Sequence, residues 1–255
     1  MEFTPPNAPA VLLLFLFTTL LFFTGLVAAG VLAWRGKRRP ARRIAEGLVV
    51  VALIYGGALL AHSFTSRDRI LEPGQLKYFC EIDCHLAYSV AAVRTAKTLG
   101  SGETAATARG HFVIVSVKTW FDPRTVSPRR GNGTLSPNPR IIRVEDGTGR
   151  AYSVSPEGEK ALAPEFGPEA LLHRPLRPGE SYTTDLVFDL PEGKESPRLL
   201  ISEDIPEAPF IVSHENSLFH KKIWFRIPTP PGSDPLRQSG AEGTGPLRLA
   251  SLVAF

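Results

Sequence analysis

Two long apolar runs near the start of the chain, separated by a short basic segment, constrain its fold more than any other feature. The first run, residues 10–34, is uncharged, and the second, residues 44–64, has one charge, at Glu46. As helices they would be roughly 37 and 31 Å long, which is enough to cross a hydrocarbon core of about 30 Å. The sequence therefore predicts a hairpin of two membrane-spanning helices over residues 10–64.

The basic segment between the two runs predicts the orientation of this hairpin. Its six cationic residues are Arg35, Lys37, Arg38, Arg39, Arg42 and Arg43. Short loops rich in Lys and Arg stay in the cytoplasm, so we expect residues 35–43 inside and both chain termini outside. The predicted location is the bacterial inner membrane, with the large C-terminal part of the chain on its extracytoplasmic side and the lipid bilayer as a partner.

A cleaved signal peptide is the alternative interpretation of the first run. Ala28, Ala29 and Gly30 offer small residues for a cleavage site. However, no Lys or Arg precedes the run, and its apolar stretch is longer than that of an ordinary signal peptide. The membrane hairpin is therefore the favoured interpretation.

The distribution of charge gives no support to a nucleic-acid partner. The chain has 29 Lys and Arg and 25 Asp and Glu, and six of the cations but only two of the anions precede residue 67. The part beyond residue 66 therefore holds 23 residues of each sign and is formally neutral. The high isoelectric point comes from the predicted cytoplasmic loop, where the charge sets topology.

Alternation of apolar and polar residues predicts a domain of β-strands over residues 76–227, after a lead (1–9), the hairpin and a linker (65–75). A period-two pattern runs from Leu76 to Ala92, which is long for one strand, so we expect a break near residues 81–83. Further strands are predicted at 111–121, 140–145, 150–154, 181–190, 198–202, 210–213 and 222–227, with loops at 98–110 and 122–139.

These strands indicate an all-β ectodomain. Seven or more short strands separated by turn signals, without a long amphipathic helix, are typical of an antiparallel β-sandwich, and we assign it as immunoglobulin-like. Residues 228–255 are rich in Pro, Gly and Ser, and we expect them to form a disordered tail.

Turn and strand motifs in this domain resemble those of a known group of proteins. The pieces are Val144-x-Asp146 with Gly149-x-x-Tyr152, and Leu176-x-Pro178-Gly179-Glu180-Ser181 leading into Leu186-Val187-Phe188-Asp189-Leu190-Pro191. They resemble a widespread group of bacterial membrane-anchored or lipid-anchored immunoglobulin-like domains of unknown function. The resemblance implies an extracytoplasmic binding or accessory role, and it carries no shared catalytic residues.

The string from Cys80 through Cys84 to His85 has the most recognisable chemistry in the chain. Both cysteines have the parity of the apolar residues around them, which favours buried thiols in a strand. A disulfide would suit the predicted oxidising compartment. It requires the chain to turn at residues 81–83, because residues four apart in a straight strand lie about 13 Å apart, beyond the limit of about 7 Å.

Covalent haem and copper are the other two interpretations of this string. Two thiols followed by His85 resemble the c-type haem motif with one extra intervening residue, which implies His85 as an axial ligand. The hairpin, the periplasmic β-domain and the Cys-x-Glu-x-Cys string resemble subunit II of haem-copper oxidases, which implies copper. That family places its cysteines late in the domain and uses a Met ligand, whereas the only Met here is Met1.

Two further groups are weaker candidates for a site. Arg129, Arg130 and Asn132 could bind an anion or a partner, although a solvated turn is the simpler interpretation. His214 and His220, which lie near Glu215 and Asn216, are interpreted as surface histidines and not as ligands of a metal site. No phosphate-binding loop or hydrolase motif is present, so the sequence predicts a non-enzymatic binding or accessory protein without a cofactor, with a protein partner in a membrane complex or outside the cell. Electron transfer by haem or copper at Cys80, Cys84 and His85 is the alternative.

Overall fold

The computed structural model describes residues 7–79, 85–126, 129–162, 172–193 and 196–228. Two N-terminal helices, α1 (Ala8–Trp34) and α2 (Arg38–Thr65), pack against each other. Both are long and apolar enough to cross a membrane. The two apolar helices of the predicted hairpin are confirmed, and their position in a membrane stays a prediction.

The predicted basic loop is mostly helical. Only residues 35–37 connect the two helices, because α2 begins at Arg38 and already includes Arg39, Arg42 and Arg43. The Arg42 Nε atom lies 2.8 Å from Glu46 Oε1, one helical turn further on. The one acidic residue of the second apolar run is thereby paired with a cation of the basic segment.

Nine strands follow in the described part of the chain. They are β1 (Arg69–Leu71), β2 (Lys77–Phe79), β3 (Leu86–Leu99), β4 (Ala106–Phe121), β5 (Arg140–Glu145), β6 (Ala151–Ser153), β7 (Ser181–Leu190), β8 (Arg198–Glu203) and β9 (Ile223–Arg226). One sheet has the order β1-β9-β8-β5-β6 and the other β2-β3-β4-β7. Neighbouring strands are antiparallel except for β1 and β9, which are parallel.

The two sheets share one hydrophobic core. Its members from both sheets include Tyr88, Val113, Val115, Val117, Phe188, Val144, Ile201 and Phe225. The three valines alternate along β4, which confirms the period-two prediction for that strand. Because each sheet buries its apolar face against the other, the domain is a two-layered, sandwich-like unit. The immunoglobulin-like class itself stays a prediction.

Several local predictions are confirmed. The strand predicted at 181–190 is β7, and the hairpin predicted at 140–154 is formed by β5 and β6. Asp146 closes the turn of that hairpin, since its Oδ1 atom accepts hydrogen bonds from the backbone N–H groups of Thr148 and Arg150 at 2.9 and 3.0 Å. An aspartate that bonds the backbone two residues on is the usual reason for this residue in a turn.

The predicted strand from Leu76 to Ala92 is interrupted, because β2 and β3 are separate strands; residues 81–83, where the break is predicted, lie outside the described residues. Phe79 of β2 pairs with Leu86 of β3 in an antiparallel register, so the chain reverses direction between them. The parity changes across this reversal: Lys77 and Phe79 are buried in β2, whereas Leu86, Tyr88 and Val90 are buried in β3. The parity of the residues in β2 therefore does not continue into β3, and the burial of Cys80 and Cys84, which lie outside the described residues, stays a prediction.

The loop predicted at 98–110 is too long. Thr98 pairs with Thr107, and Leu99 pairs with Ala106, so β3 and β4 extend almost to the turn at residues 100–105. The run of small residues suggested a loop, but threonine is a good strand former and the cross-strand pairing decides the outcome.

Two other segments differ from the prediction. Residues 210–213 do not form a strand, because a single turn of 3₁₀ helix covers Ala208–Phe210 and Ser213 has a φ of 63°. A short helix, α3 (Pro156–Leu162), lies after β6, where no element is predicted. The Ser155 hydroxyl accepts a hydrogen bond from Gly158 N at 3.2 Å, which is the arrangement of a helix N-cap.

The junction between α2 and the sandwich is short and hydrogen-bonded. Residues 65–75, expected to be a linker, include β1, which begins four residues after Thr65. Ser66 Oγ accepts from Lys221 N at 2.9 Å, and Asp68 Oδ1 accepts from Lys222 N at 3.0 Å. The segment between β8 and β9, residues 204–222, is thereby held against the end of α2.

Candidate functional site

The end of the sandwich nearest α2 holds most of the residues singled out from the sequence. We call it the anchor-facing end; it comprises Lys77, His85, the turn at residues 122–126 and the segment 204–222. Lys77 connects the two sheets here, because its ammonium group donates to the carbonyl oxygen atoms of Ile201 and Ile223 at 2.5 and 3.0 Å.

His85 is buried at this end and packed between neighbours. Its ring stacks on Phe121, with centroids 5.5 Å apart and an interplanar angle of 17°. Its Nδ1 atom lies 2.5 Å from Thr125 Oγ1, and its carbonyl oxygen accepts a hydrogen bond from Asp122 N at 2.9 Å. These contacts fix the ring and its backbone in the corner between β3 and the turn after β4.

Asp122 organises that corner. Its carboxylate accepts hydrogen bonds from Tyr78 Oη at 2.7 Å, Arg124 Nη2 at 2.8 Å and the Arg124 backbone N–H at 2.9 Å. Hydrogen bonds from the Arg124 side chain lower the pKa of the buried Asp122 carboxyl to about 2. The turn is thus locked by an aspartate that stays ionised.

The structure brings His85 and Arg130, which belong to two separate candidate sites in the sequence, onto the same aromatic ring. The Arg130 guanidinium lies 4.8 Å from the centroid of the Phe121 ring, the same ring on which His85 stacks. Arg130 Nη1 also donates to the Gly133 carbonyl oxygen at 2.8 Å, whereas Arg129 and Asn132 are exposed. Binding of an anion by Arg129, Arg130 and Asn132 stays a prediction.

Cys80 and Cys84 lie outside the described residues, so their redox state stays a prediction. The pairing of Phe79 with Leu86 does bear on the options. Because the chain reverses between these residues, the separation of about 13 Å that a straight strand would impose on the two cysteines does not apply.

The haem and copper alternatives also stay predictions. The described residues contain no group of three or more His, Cys, Asp or Glu side chains that could hold a metal ion, but Cys80 and Cys84 are not among them. His85 would be the shared ligand in both alternatives. Its Nδ1 atom lies 2.5 Å from Thr125 Oγ1, so a metal bound through this nitrogen would replace that contact.

We expect Cys80 and Cys84 to form a disulfide when the chain is exported to an oxidising compartment. The measurement is the mass of the intact chain after alkylation under denaturing conditions, with and without a reductant. Alkylation only after reduction is the expected result. Two alkyl groups without reductant would mean free thiols, and an added mass of about 616 Da would mean a covalently attached haem.

A network of buried titratable side chains, which the sequence does not reveal, lies beside this corner. Lys77 Nζ is 2.8 Å from Glu215 Oε2, and His214 Nε2 is 2.9 Å from Glu203 Oε2; all four side chains are buried. Burial lowers the pKa of Lys77, although the Glu215 carboxylate opposes the shift. Charges at this depth are tolerated only when they are paired and hydrogen-bonded.

Asn216 extends this network to the backbone. Its Nδ2 atom donates to the Glu203 carbonyl oxygen at 2.8 Å, and its backbone N–H donates to His214 Nδ1 at 3.0 Å. Its Oδ1 atom accepts from Ser202 Oγ at 2.8 Å and from Lys222 Nζ at 2.6 Å. The surface interpretation is therefore wrong for His214, which is buried. Together with Glu215 and Asn216 it attaches the segment 204–222 to the sandwich.

Substitution of Lys77 by Met should destabilise the domain strongly. It leaves the Glu215 carboxylate buried without its cation, a loss of about 3–5 kcal/mol in the free energy of unfolding. The matched control is Arg226→Met, because Arg226 pairs with Glu72 at 2.8 Å in a half-exposed ion pair, which contributes about 0–1 kcal/mol.

Urea denaturation of the two variants and the parent chain in detergent provides the comparison. Adding Glu215→Gln to Lys77→Met should recover part of the lost stability, since it removes the uncompensated charge. Equal effects of Lys77→Met and Arg226→Met would contradict the inferred role of the buried pair.

The opposite, distal end of the sandwich contains an open cleft of about 890 Å³. Its charged lining residues are Arg109, Arg150, Glu157, Asp189 and Glu192. In the strand register, Lys77 of β2 lies opposite Tyr88 of β3, and Tyr88 lies opposite Thr119 of β4. Arg109, which lines the cleft, lies ten residues before Thr119 in β4. At about 3.3 Å per residue, the cleft is therefore roughly 33 Å from the level of Lys77.

Close packing shapes the floor of this cleft. Asp189 accepts hydrogen bonds from the backbone N–H groups of Arg109 and Gly110 at 2.9 and 3.2 Å. A Cβ atom at Gly110 would lie 2.0 Å from the Leu190 carbonyl oxygen, so only glycine allows β4 and β7 to approach this closely.

Glu159 of α3 is a buried carboxyl group near the cleft. Its Oε1 atom accepts a hydrogen bond from Val187 N at 2.6 Å. Burial raises the pKa of Glu159 to about 7, and the hydrogen bond from Val187 only partly opposes this shift. We therefore expect the attachment of α3 to the sheet to depend on pH.

The free energy of unfolding of the domain should rise as the pH falls from 8 to 5, by an amount set by the upward shift of the Glu159 pKa. The folded state takes up a proton near pH 7, before the unfolded state does so near pH 4.5, so protonation favours folding by up to about 3 kcal/mol. Glu159→Gln should remove this component. Glu157→Gln, an exposed position on the same helix, is the control and should retain it.

Urea denaturation at several pH values measures the difference between each variant and the parent chain. A Glu159→Gln variant with the same pH dependence as the parent would show that the carboxyl group has an ordinary pKa in the folded protein.

Comparisons with known proteins leave the family open. No family model matches the chain, and no curated protein matches it. A conserved hypothetical protein from Bacillus anthracis is 13% identical, with 49% of this chain and 86% of that chain covered and a TM-score of 0.35. The secreted protein MPT63 from Mycobacterium tuberculosis is 11% identical, with 64% and 100% covered and a TM-score of 0.39. With TM-scores below 0.5, neither likeness carries an argument.

Proposed function

We propose that this chain is a membrane-anchored, extracytoplasmic binding or accessory protein without catalytic activity. In this proposal α1 and α2 anchor the sandwich in the bacterial inner membrane, with both termini outside, and the distal cleft binds a protein partner. The observation that carries the proposal is the short, hydrogen-bonded junction between α2 and β1, with the cleft at the opposite end of the sandwich.

The junction supports a fixed position of the sandwich relative to the helices. A flexible linker would let the domain rotate freely. Here β1 begins four residues after Thr65 and pairs with β9, while Ser66 and Asp68 accept hydrogen bonds from the segment 204–222. Such a junction holds the cleft at a set distance from the bilayer, which suits a subunit that meets a partner in the same membrane.

The charges of the cleft support a protein partner. Exposed Arg109 and Arg150 lie together with exposed Glu157 and Glu192, so neither sign dominates. A surface of mixed charge complements a polypeptide with both acidic and basic residues better than a polyanion such as nucleic acid. The partner is therefore proposed to be a protein of the membrane or of the extracytoplasmic space.

Photo-crosslinking in intact cells of the source organism tests this proposal. The residue p-benzoylphenylalanine is placed at Arg150 or at Glu192, both in the cleft, and at Ile141 as the control. Ile141 is exposed on β5, outside the cleft. A discrete crosslinked protein from the two cleft positions, absent from position 141, is the expected result.

The same experiment distinguishes binding from chance proximity. Arg109→Glu with Arg150→Glu should weaken the crosslink formed from Glu192, because two cations of the cleft become anions. No discrete product from either cleft position, or the same product from Ile141, would sink the proposal that the cleft is the binding surface.

A further inference from the structure

The segment 204–222 is compact and exposes an apolar surface. Its backbone closes on itself through hydrogen bonds from Leu218 N to the Pro209 carbonyl oxygen at 3.2 Å and from Ser217 N to the His214 carbonyl oxygen at 2.9 Å. Ile211 and Val212 are buried inside it. In contrast, Phe210, Leu218 and Phe219 are 56%, 47% and 67% exposed.

Phe219 is held outward in an unfavourable conformation. Its φ of 63° lies in the left-handed region, which bulky side chains rarely adopt. Its ring stacks on Phe64 of α2 with centroids 5.6 Å apart, and both rings remain largely exposed. Strained residues persist where the surrounding structure imposes them, and they cluster at functional surfaces.

The segment lies beside α2 well before the helix ends. The Tyr55 hydroxyl donates to the Phe210 carbonyl oxygen at 2.8 Å. Tyr55 precedes the last residue of α2, Thr65, by ten residues, or roughly 15 Å along the axis. Helical side chains lean toward the N-terminus of their helix, so the Tyr55 hydroxyl lies no closer to Thr65 along the axis than the Tyr55 Cα atom does.

This depth decides where the membrane surface can be. Suppose that the outer surface of the bilayer lay on the cytoplasmic side of the segment 204–222. The apolar part of α2 within the bilayer would then run only from Ile44 to Ile54, roughly 16 Å as a helix. A hydrocarbon core of about 30 Å cannot be crossed by so short a stretch. If α2 spans the membrane, the segment must therefore lie within the lipid.

We propose that the segment 204–222 inserts into the outer interface of the bilayer beside α2, with Phe210, Leu218 and Phe219 in contact with lipid. The inference rests on the membrane anchoring in the proposed function and adds a second membrane contact, made by the sandwich itself. The arrangement of polar groups agrees with it. His214, Glu215 and Ser217 are buried toward the sandwich. The other charged residues of the segment, Asp204, Glu207, Lys221 and Lys222, precede Phe210 or follow Phe219.

The test uses the full chain in nanodiscs of phosphatidylethanolamine and phosphatidylglycerol. A hydrophobic diazirine that partitions into lipid labels residues in the bilayer, and hydroxyl radicals label residues in water. Trypsin cleavage after Arg198 and Lys221 places all three exposed apolar residues of the segment in one peptide, 199–221. Fragmentation of that peptide then assigns each adduct to a residue.

Two other peptides of the same sample are the references. Peptide 1–35 contains Phe17 and Phe23, which are 65% and 62% exposed on α1 and serve as the lipid reference. Peptide 151–160 contains Tyr152 in the distal cleft and serves as the water reference. We expect severalfold more diazirine adducts on Phe210 and Phe219 than on Tyr152, and severalfold less oxidation.

The references separate the two possible failures. Diazirine labelling of Phe17 and Phe23, with Phe210 and Phe219 oxidised as readily as Tyr152, would overturn the insertion of the segment and leave the anchoring intact. Oxidation of Phe17 and Phe23 themselves would overturn the membrane anchor, and the inference would fail with it.

Discussion

The anchor-facing end depends on one interaction, the buried ion pair between Lys77 and Glu215. Lys77 belongs to an edge strand of one sheet, its two carbonyl acceptors belong to the other sheet, and Glu215 belongs to the segment 204–222. A buried ammonium group without partners is several kcal/mol unfavourable. The two sheets and the segment 204–222 must therefore assemble around Lys77 together. The ion pair thereby restricts the conformation of the segment.

This requirement explains the unusual polarity of the segment. In a soluble protein a loop buries its apolar residues and exposes its polar ones. Here Glu215 and His214 point inward to pair with Lys77 and Glu203, while Phe210 and Phe219 point outward next to α2. Because these polar side chains are hydrogen-bonded inside the sandwich, Phe210 and Phe219 are left outside, which is the arrangement that the proposed contact with lipid requires.

The sequence predicted the helices and strands better than the contacts between distant side chains at the candidate site. Apolar length defined α1 and α2, and alternation defined β4 and β7, because both signals are local. Residues 98–110 and β1 were mistaken for a loop and a linker, since their pairing with distant strands overrides weak local preference. The partners of Lys77 lie more than 120 positions away, and no spacing rule connects them. His85 and Arg130 were found by residue type, but their common contact with Phe121 was not.

The two ends of the sandwich therefore divide their tasks. At the anchor-facing end, His85, Asp122 and Arg130 are engaged in contacts that fix the turn after β4. At the distal end, the residues of the cleft come from β4, β6, α3, β7 and the connection after β7. Tyr152 and Asp189 belong to motifs that are visible in the sequence, but their spacing along the chain does not indicate that they line one cleft. A turn can therefore be found from local sequence, whereas a surface assembled from separate strands can be found only from the fold.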